Sequence, residues 1–533
     1  MWAAIIHTVT TTAEALGVPE VLNAAAYFVD RHVLEDRGGK VAIECGDERV
    51  TYAELHERVN RFGSALRSRF DVRREERVAL LLLDGPAFAY SFFGAIKIGA
   101  VPIPTNTLWK AADYRFLLND SGARVLIISE ELLPEFERIP RGELRALQHV
   151  VVAGRHNAEL DRLLEEGNAE LEAEPISRDA PAFWLYSSGS TGAPKGCVHL
   201  QHDMVVCAEL FGKGVLGMTA ADRCFSVAKL FFAYGLGNAL YFPLSVGATS
   251  ILWPGPPAPA HVYAVIAKHR PTLLFSVPTS YGMLLSHDGA CDLSSIRLAV
   301  SAGEALPAAL YERFKRRFGI DVLDGIGSTE ALHIFISNQL GAIRPGSSGR
   351  VVPGYRARIV DDRQVAVPQG EIGNLWVSGD STCACYWNQH EKTKRTIEGE
   401  WLRTGDKFWQ DADGFYWYAG RSDDMLKVGG LWVSPVEVEN ALVEHSAVQE
   451  CGVVGREDRD TLLKPAAYVV LRAGVAGTSD LANELQQFVR GKLAEYKRPR
   501  WVEFVSELPK TPTGKIQRFK LREAGSKTTR PGA

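Results

Sequence analysis

Apolar residues recur at Leu55, Val59, Phe62 and Leu66, three or four positions apart, between Tyr52 and Arg67. That spacing lines one face of a helix, and Thr51 just before it suits an N-cap, where a side-chain oxygen accepts from free backbone amides. Val78–Leu83 is an unbroken apolar run after a charged turn and predicts a strand buried on both faces. A packed helix over Phe92–Ile98 comes next, ending near Gly99, and Val101-Pro-Ile-Pro104 leads out of it. Further short strands are predicted at Val125–Ser129, Cys224–Val227, Leu273–Val277, Leu298–Ser301 and Val322–Asp324. Pro254–Pro259 reads as a loop by composition. Buried strands separated by helices predict an α/β fold with mostly parallel sheets.

After Arg344 the segments become shorter, richer in glycine and more strand-like, through Gly420, which predicts a small β-rich subdomain. From Asp423 to about Arg522 the chain carries its own pattern, with helices at Val436–Val443 and Leu481–Leu493 and a strand at Ala466–Leu471. A separate α+β domain of that size is ordinary. Met1–Val21 is expected to be a loosely structured extension and Ser526–Ala533 a disordered polar tail.

Composition narrows the function. The 533 residues are too many for one hydrophobic core. Lys plus Arg total 60 against 64 Asp plus Glu, a balance that argues against a nucleic-acid binder, whose footprint is a basic surplus. None of the eight cysteines forms a CxxC pair, and Cys383-Ala-Cys385 is poor zinc-ligand spacing, so free thiols in a reducing cytoplasm are expected. No apolar run approaches the ~18 residues needed to span a bilayer, and the start lacks the features of a signal peptide.

One loop points to chemistry. Phe183–Tyr186 is an apolar strand that runs into Ser187-Ser188-Gly189-Ser190-Thr191-Gly192-Ala-Pro-Lys195-Gly196. Backbone amides, hydroxyls and one ammonium together can cradle phosphate oxygens, and glycine lets the backbone approach closely. A flexible linker would share the composition, but this run follows a buried strand directly. The spacing is wrong for a P-loop, because Gly196 rather than Ser or Thr follows Lys195. Further on, Glu330 follows the hydroxyl of Thr329 beyond a strand end, where a carboxylate can hold a hard cation beside phosphates.

The glycine-rich run resembles the phosphate loop of the acyl-adenylate-forming superfamily, the acyl-CoA synthetases, adenylation domains and luciferases. Other elements of that superfamily appear in the same order across roughly residues 45–522. Asp324-Gly325-Ile326-Gly327-Ser-Thr329-Glu330 resembles the segment that holds the adenylate, and implies that Thr329 bonds the α-phosphate and Glu330 binds Mg²⁺. Relatives place an aromatic residue where this chain has Ile326, so adenine would meet an aliphatic face. Ser301-Ala302-Gly303-Glu304-Ala305 resembles the adenine-contacting turn. Trp401–Asp406 resembles the segment whose aspartate takes both ribose hydroxyls, read here as a carboxylate at a strand end. Gly420-Arg421-Ser-Asp423-Asp resembles a hinge, with Arg421 on the ribose or phosphate and Asp423 absorbing the dihedral change. Lys427-Val-Gly429-Gly would line the thiol route. Pro509–Lys515 resembles the loop of the catalytic lysine, Lys515, which on its own would read as a solvated surface residue. The resemblance thus implies a large acid- and ATP-binding domain, residues 1–422, and a small mobile domain, residues 423–533. ATP, Mg²⁺ and coenzyme A are implied as cofactor and co-substrates. Lys497-Arg-Pro-Arg500 could meet the CoA phosphates or be a plain basic run.

Within the superfamily the likeness is greatest to benzoate–CoA ligases, carried by Lys229–Asn238 and Asp324–Phe335. Phe232, Ala233, Tyr234 and Gly235 can form a flat apolar slot, with Ala302, Gly327, His333 and Ile334 around it. An aromatic run after a strand can equally be core, and His333 a satisfied core histidine. The expected reaction converts benzoate, ATP and CoA to benzoyl-CoA, AMP and diphosphate, in a cytoplasmic monomer or homodimer without nucleic-acid or membrane partners. Hydroxybenzoate, aminobenzoate and other cyclic acids stay open, as does loading of a carrier protein. A non-catalytic regulator on the same fold would be expected to lose Glu330 or Lys515, and both are present.

Overall fold

The computed structural model describes residues 12–154, 156, 158–187, 194–287, 291–422, 424–428, 431–458, 462–510 and 516–527. Its centre is a nine-stranded sheet. In spatial order the strands are Arg350–Val351, Ile334–Ser337, Val322–Gly327, Leu298–Ser301, Leu273–Ser276, Arg223–Ser226, Thr249–Leu252, Val41–Cys45 and Glu48–Thr51. The six middle strands run parallel, and both edges are finished by antiparallel pairing. Short strands such as Leu273–Ser276 and Leu298–Ser301 are buried at every position, which is why their sequences are apolar without alternation. A second, all-parallel sheet joins Val101–Pro104, Arg77–Leu81, Val125–Ser129 and His149–Ala153. The predicted α/β class with mostly parallel sheets is what forms.

The predicted helix after Thr51 spans Tyr52–Phe70. Thr51 Oγ1 accepts from Glu54 N at 3.2 Å while Glu54 returns a bond to Thr51 N at 2.7 Å. Such a reciprocal cap contributes about 1 kcal/mol. The next helix begins earlier than its apolar core suggested, at Pro86 rather than Phe92, because proline is preorganised for the first helical position.

Residues 344–421 form the β-rich part, an antiparallel sheet that includes Arg356–Val360, Gly373–Ser378, Trp401–Gln410 and Tyr416–Arg421. A distinct cluster, from Leu426 to Val489, packs the helices Pro435–Val443 and Ser479–Lys492 on the strands Val448–Glu457, Leu463–Leu471 and Trp501–Phe504. All eight cysteines are unpaired. No helix among the described residues is long and apolar enough to cross a membrane.

Two expectations about the ends need correction. The amino-terminal extension is packed from Thr12 onward: Ala13 is buried and its amide donates to Asp380 Oδ2 at 2.8 Å. Arg178 Nη1 donates to the carbonyl of Val18 at 2.8 Å. These partners lie more than 150 residues away in sequence, so local pattern could not reveal them. At the other end, the helix Arg518–Lys527 runs through Ser526, where a disordered tail had been expected to begin.

Candidate active site

The chemistry-bearing segments leave the carboxyl ends of neighbouring parallel strands, the usual place for ligands in open α/β sheets. Residues 302–307 follow Leu298–Ser301, residues 328–333 follow Val322–Gly327, and residues 229–236 follow Arg223–Ser226. The antiparallel pair Pro181–Ser187 and Lys195–Leu200 brings the two ends of the glycine-rich loop together, with Ser187 opposite Lys195. Ser188, Gly189, Ser190, Thr191 and Gly192 lie outside the described residues. Ser187 Oγ is buried and has no hydrogen-bond partner among the described residues.

Lys195 Nζ donates to Glu330 Oε1 at 2.7 Å and to the hydroxyl of Tyr386 at 2.8 Å. The Tyr386 hydroxyl in turn donates to the same Glu330 Oε1 at 2.8 Å. The ammonium also sits 4.2 Å from the Tyr386 ring centroid, a cation–π contact. Burial pushes the Glu330 pKa upward, but the Lys195 charge and the bonds from Lys195 and Tyr386 outweigh it, and the net shift is downward. The carboxylate is therefore ionised and poised beside a cation. Both of these bonds engage Oε1. Mg²⁺ needs few protein ligands when phosphates and water complete its shell, so a single ionised carboxylate fits it. Among the described residues no cluster of three or more metal-ligating side chains offers an alternative.

The main chain of 329–331 is clamped at three successive carbonyls. His199 Nε2 donates to Thr329 O at 2.8 Å, Cys383 N to Glu330 O at 2.7 Å, and Ser381 Oγ to Ala331 O at 2.8 Å. Asp203 Oδ2 holds the other ring nitrogen of His199 at 2.7 Å, and both side chains are fully buried. Sequence reasoning passed over Tyr386, His199 and Asp203. His199 and Asp203 are four apart, a spacing that could have flagged them, whereas nothing local marks Tyr386.

Asp324 accepts from Leu306 N at 3.3 Å, which ties the 302–307 turn to the neighbouring strand, and burial raises its carboxyl well above the usual range. Glu304 accepts from Thr279 Oγ1 at 3.1 Å, and Gly303 has a φ of 88°. Ile326 pairs opposite Ile336 and packs against the core, as its aliphatic side chain allows. Asp406 lies within the ten-residue strand Trp401–Gln410, not at a strand end, because the hairpin to Tyr416–Arg421 continues the pairing beyond it. It stands directly opposite Arg421, whose Nη1 donates to Asp406 Oδ1 at 3.1 Å. Gly405 beside it has a φ of 76°, a left-handed conformation that favours glycine.

Of the predicted slot residues, Tyr234 and His333 meet ring to ring. Ala233, Ala302 and Ile334 belong to one buried cluster, with Tyr234 packed against it. The Tyr234 hydroxyl donates to the carbonyls of Val300 at 3.0 Å and Ser276 at 3.2 Å, which fixes the ring across two strand ends. His333 is buried, its ring centroid 5.5 Å from that of Tyr234 and 4.5 Å from that of Phe242. Its Nε2 donates to Asn238 Oδ1 at 3.1 Å, and burial lowers its pKa to about 3, so it stays neutral near pH 7. A Cβ on Gly327 would lie 2.4 Å from His333 O, and one on Gly235 2.1 Å from Lys229 O. Phe232 is half-buried against Phe231 rather than within the cluster. A recess of about 380 Å³ lined by Ala112, Arg115, Phe116, Asn119, Asp120 and Arg145 involves none of the predicted slot residues.

Asp423, Gly429, Lys515 and the side chain of Lys427 lie outside the described residues. In the basic run, Lys497 Nζ donates to both carboxylate oxygens of Glu437 at 2.7 Å, so that ammonium is already engaged.

Comparison with known proteins adds an independent result. The model of the AMP-binding enzyme family matches residues 30–387, and that of the AMP-binding enzyme C-terminal domain matches residues 437–515. A benzoate–CoA ligase of Thauera aromatica is 49% identical over 519 residues, 97% of this chain and 98% of the relative. The crystal structure of the anthranilate CoA ligase AuaEII in complex with anthranoyl-AMP superposes with a TM-score of 0.92 at 46% identity, covering 96% of this chain and 99% of that one. A benzoate CoA ligase from Burkholderia xenovorans LB400 gives a TM-score of 0.88 at 46% identity, covering 94% of this chain and 100% of that one.

Proposed function

The chain belongs to the AMP-binding enzyme family, and from that premise we propose that it joins an aromatic acid, benzoate foremost, to coenzyme A. It is an AMP-forming acid–thiol ligase, with ATP and CoA as substrates. The observation that carries the proposal is the Lys195–Glu330–Tyr386 cluster, built on the segment that leads within four residues to buried Ile334, a member with Ala233 and Ala302 of the main apolar core. Coupling ATP to a hydrophobic carboxylate requires fixed charge for the phosphates and apolar surroundings for the acid.

In the first half-reaction a carboxylate oxygen of the acid attacks the α-phosphorus. The bond from that phosphorus to the bridging oxygen breaks, and pyrophosphate leaves with the electron pair. All the reacting groups are anionic, so fixed positive charge lowers the barrier most. Lys195 would meet the departing pyrophosphate together with the 187–192 loop, Thr329 the α-phosphate, and Lys515 the reacting carboxylate and α-phosphate. Glu330 would hold Mg²⁺, which supplies charge neutralisation on the phosphates when bound. Gly303, Glu304, Ala305, Asp324, Gly325 and Ile326 would surround adenine, and Asp406 with Arg421 the ribose. In the second half-reaction the CoA thiol attacks the acyl carbon, AMP leaves, and the thiol proton passes to water. Residues 423–533, turning about Asp423, would then present Lys427 and Gly429 to the thiol.

Neutral His333 and the fixed Tyr234 ring suit an uncharged aryl end at Phe232–Gly235. A hydroxy- or aminobenzoate is the second reading, favoured by the Asn238–His333 hydrogen bond at the slot and by the anthranilate CoA ligase among the similar structures. A cytoplasmic location is part of the same proposal.

The test follows AMP, pyrophosphate and acyl-CoA by mass spectrometry with benzoate, ATP, Mg²⁺ and CoA, then repeats it across ring-substituted benzoates. Benzoyl-CoA in step with AMP is expected. Pyrophosphate without acyl-CoA would overturn the ligase reading in favour of carrier loading. A kcat/KM for 2-amino- or 4-hydroxybenzoate about tenfold above benzoate would overturn benzoate, because a slot that bonds a ring substituent rejects the acid lacking it.

A further inference from the structure

We propose that Tyr386 is a positioning residue for carboxylate activation, its hydroxyl holding the Lys195 ammonium and the Glu330 carboxylate at one point so that phosphate and metal meet both in fixed register. This rests on the proposed adenylation at the site above. Lys195 and Glu330 lie 135 positions apart, Lys195 on the strand Lys195–Leu200 and Glu330 in the turn after Val322–Gly327, and in the proposed reaction each takes a ligand of its own. A hydroxyl that both accepts and donates can stay bonded to either one.

The segment carrying Tyr386 is anchored to both sides. Cys383 N donates to Glu330 O at 2.7 Å, Ala384 N to Val198 O at 2.9 Å, and Trp387 N to Gly196 O at 2.8 Å. Cys385–Tyr386 pairs antiparallel with the Lys195–Leu200 strand, Tyr386 opposite Cys197. Thr393 Oγ1 accepts from Tyr386 N at 3.0 Å. Five consecutive residues thus grip the backbone beside Lys195, the backbone of Glu330 and both side chains. The ring is buried with Cys197 and Cys383. A simple core filler would need the ring alone. The hydroxyl, placed 2.8 Å from both charges, does a second job.

The test is Tyr386→Phe, which keeps the ring and its packing. Pyrophosphate release from benzoate and ATP without CoA should fall about tenfold in kcat, the loss of a hydrogen bond to charged groups, with the KM for benzoate unchanged. Calorimetric binding of a non-hydrolysable ATP analogue with Mg²⁺ should weaken about fivefold and need correspondingly more Mg²⁺ for saturation. Benzoyl-CoA formation from supplied benzoyl-adenylate and the melting temperature should match the unmutated enzyme. Adenylation and analogue binding both within twofold of that enzyme would overturn the proposal. So would an equal fall in both half-reactions with a lowered melting temperature, which marks a core filler. If the unmutated enzyme adenylates no aryl acid, the proposed function fails instead, and the analogue-binding comparison still decides the role of Tyr386.

Discussion

Gly237→Ala should disable the aryl slot while leaving the nucleotide machinery intact. Gly237 lies just after the proposed slot residues, and a Cβ built there would sit 2.5 Å from His333 Cδ2, 2.9 Å from its Nε2 and 2.8 Å from the Tyr241 hydroxyl. Carbon atoms rest about 3.5–4.0 Å apart, so the imidazole must move by about 1 Å. It has nowhere cheap to go. Phe242 stands 4.5 Å away by ring centroids and Phe211 5.3 Å, and Asn238 holds Nε2 at 3.1 Å. Overpacking of this kind costs about 1–3 kcal/mol, and breaking the Asn238 bond inside the core adds about 1–3 kcal/mol. If the shifted ring intrudes on the acid, kcat/KM for benzoate should fall about tenfold to hundredfold, chiefly through KM, with the KM for ATP unmoved. Urea unfolding and steady-state AMP release measure the two effects. Gly282→Ala is the control: nothing lies within 4 Å of its Cβ, and alanine should stabilise the helix Pro278–Ser286 by up to about 1 kcal/mol. A Gly237→Ala enzyme with unchanged stability and unchanged benzoate KM would refute both the packing argument and the placement of His333 at the slot.

Two further predictions address the charged half. Lys195 holds the Glu330 pKa below its ordinary value, so in the parent enzyme this group adds stability above the unfolded pKa and loses it as pH falls. In Lys195→Met the two largest contributions opposing burial are lost, only a backbone bond and the Tyr386 hydroxyl still oppose it, and the Glu330 pKa rises relative to the parent. The stability gap between the two proteins should widen with pH from the parent's folded Glu330 pKa, below 4.5, up to the variant's, by at most ~1.4 kcal/mol per pH unit, read by urea unfolding across pH, and a gap that does not vary with pH would refute it. Asp203→Asn removes the charge that orients His199 against the Thr329 carbonyl, and should cost about 1.5–3 kcal/mol in stability. It should also slow pyrophosphate release about tenfold through the displaced Thr329, and normal release with lowered stability would confine Asp203 to folding.

Legibility in the sequence followed the range of the forces involved. The strands Val125–Ser129 and Leu298–Ser301 were readable to the residue, because burial on both faces leaves an unbroken apolar run. Thr51, a capping side chain, announced one helix start, whereas Pro86 opened another six residues before its predicted start at Phe92. Lys195, Glu330 and Asp406 stood out because charge beside glycine or a hydroxyl is conspicuous locally. Their partners did not. Tyr386 sits in a two-residue strand with no period to detect, and Asp380 meets Ala13 across 367 positions. The error at Asp406 has the same origin, since a strand's end is set by its neighbour, and the neighbour here ends at Arg421. Conspicuous residues supply the charge for this reaction, while inconspicuous ones set where that charge points. A sequence displays the first directly and the second only once the sheet order is known. That asymmetry explains why carboxylate activation was legible before the structure, whereas the hydroxyl that holds Lys195 to Glu330 was not.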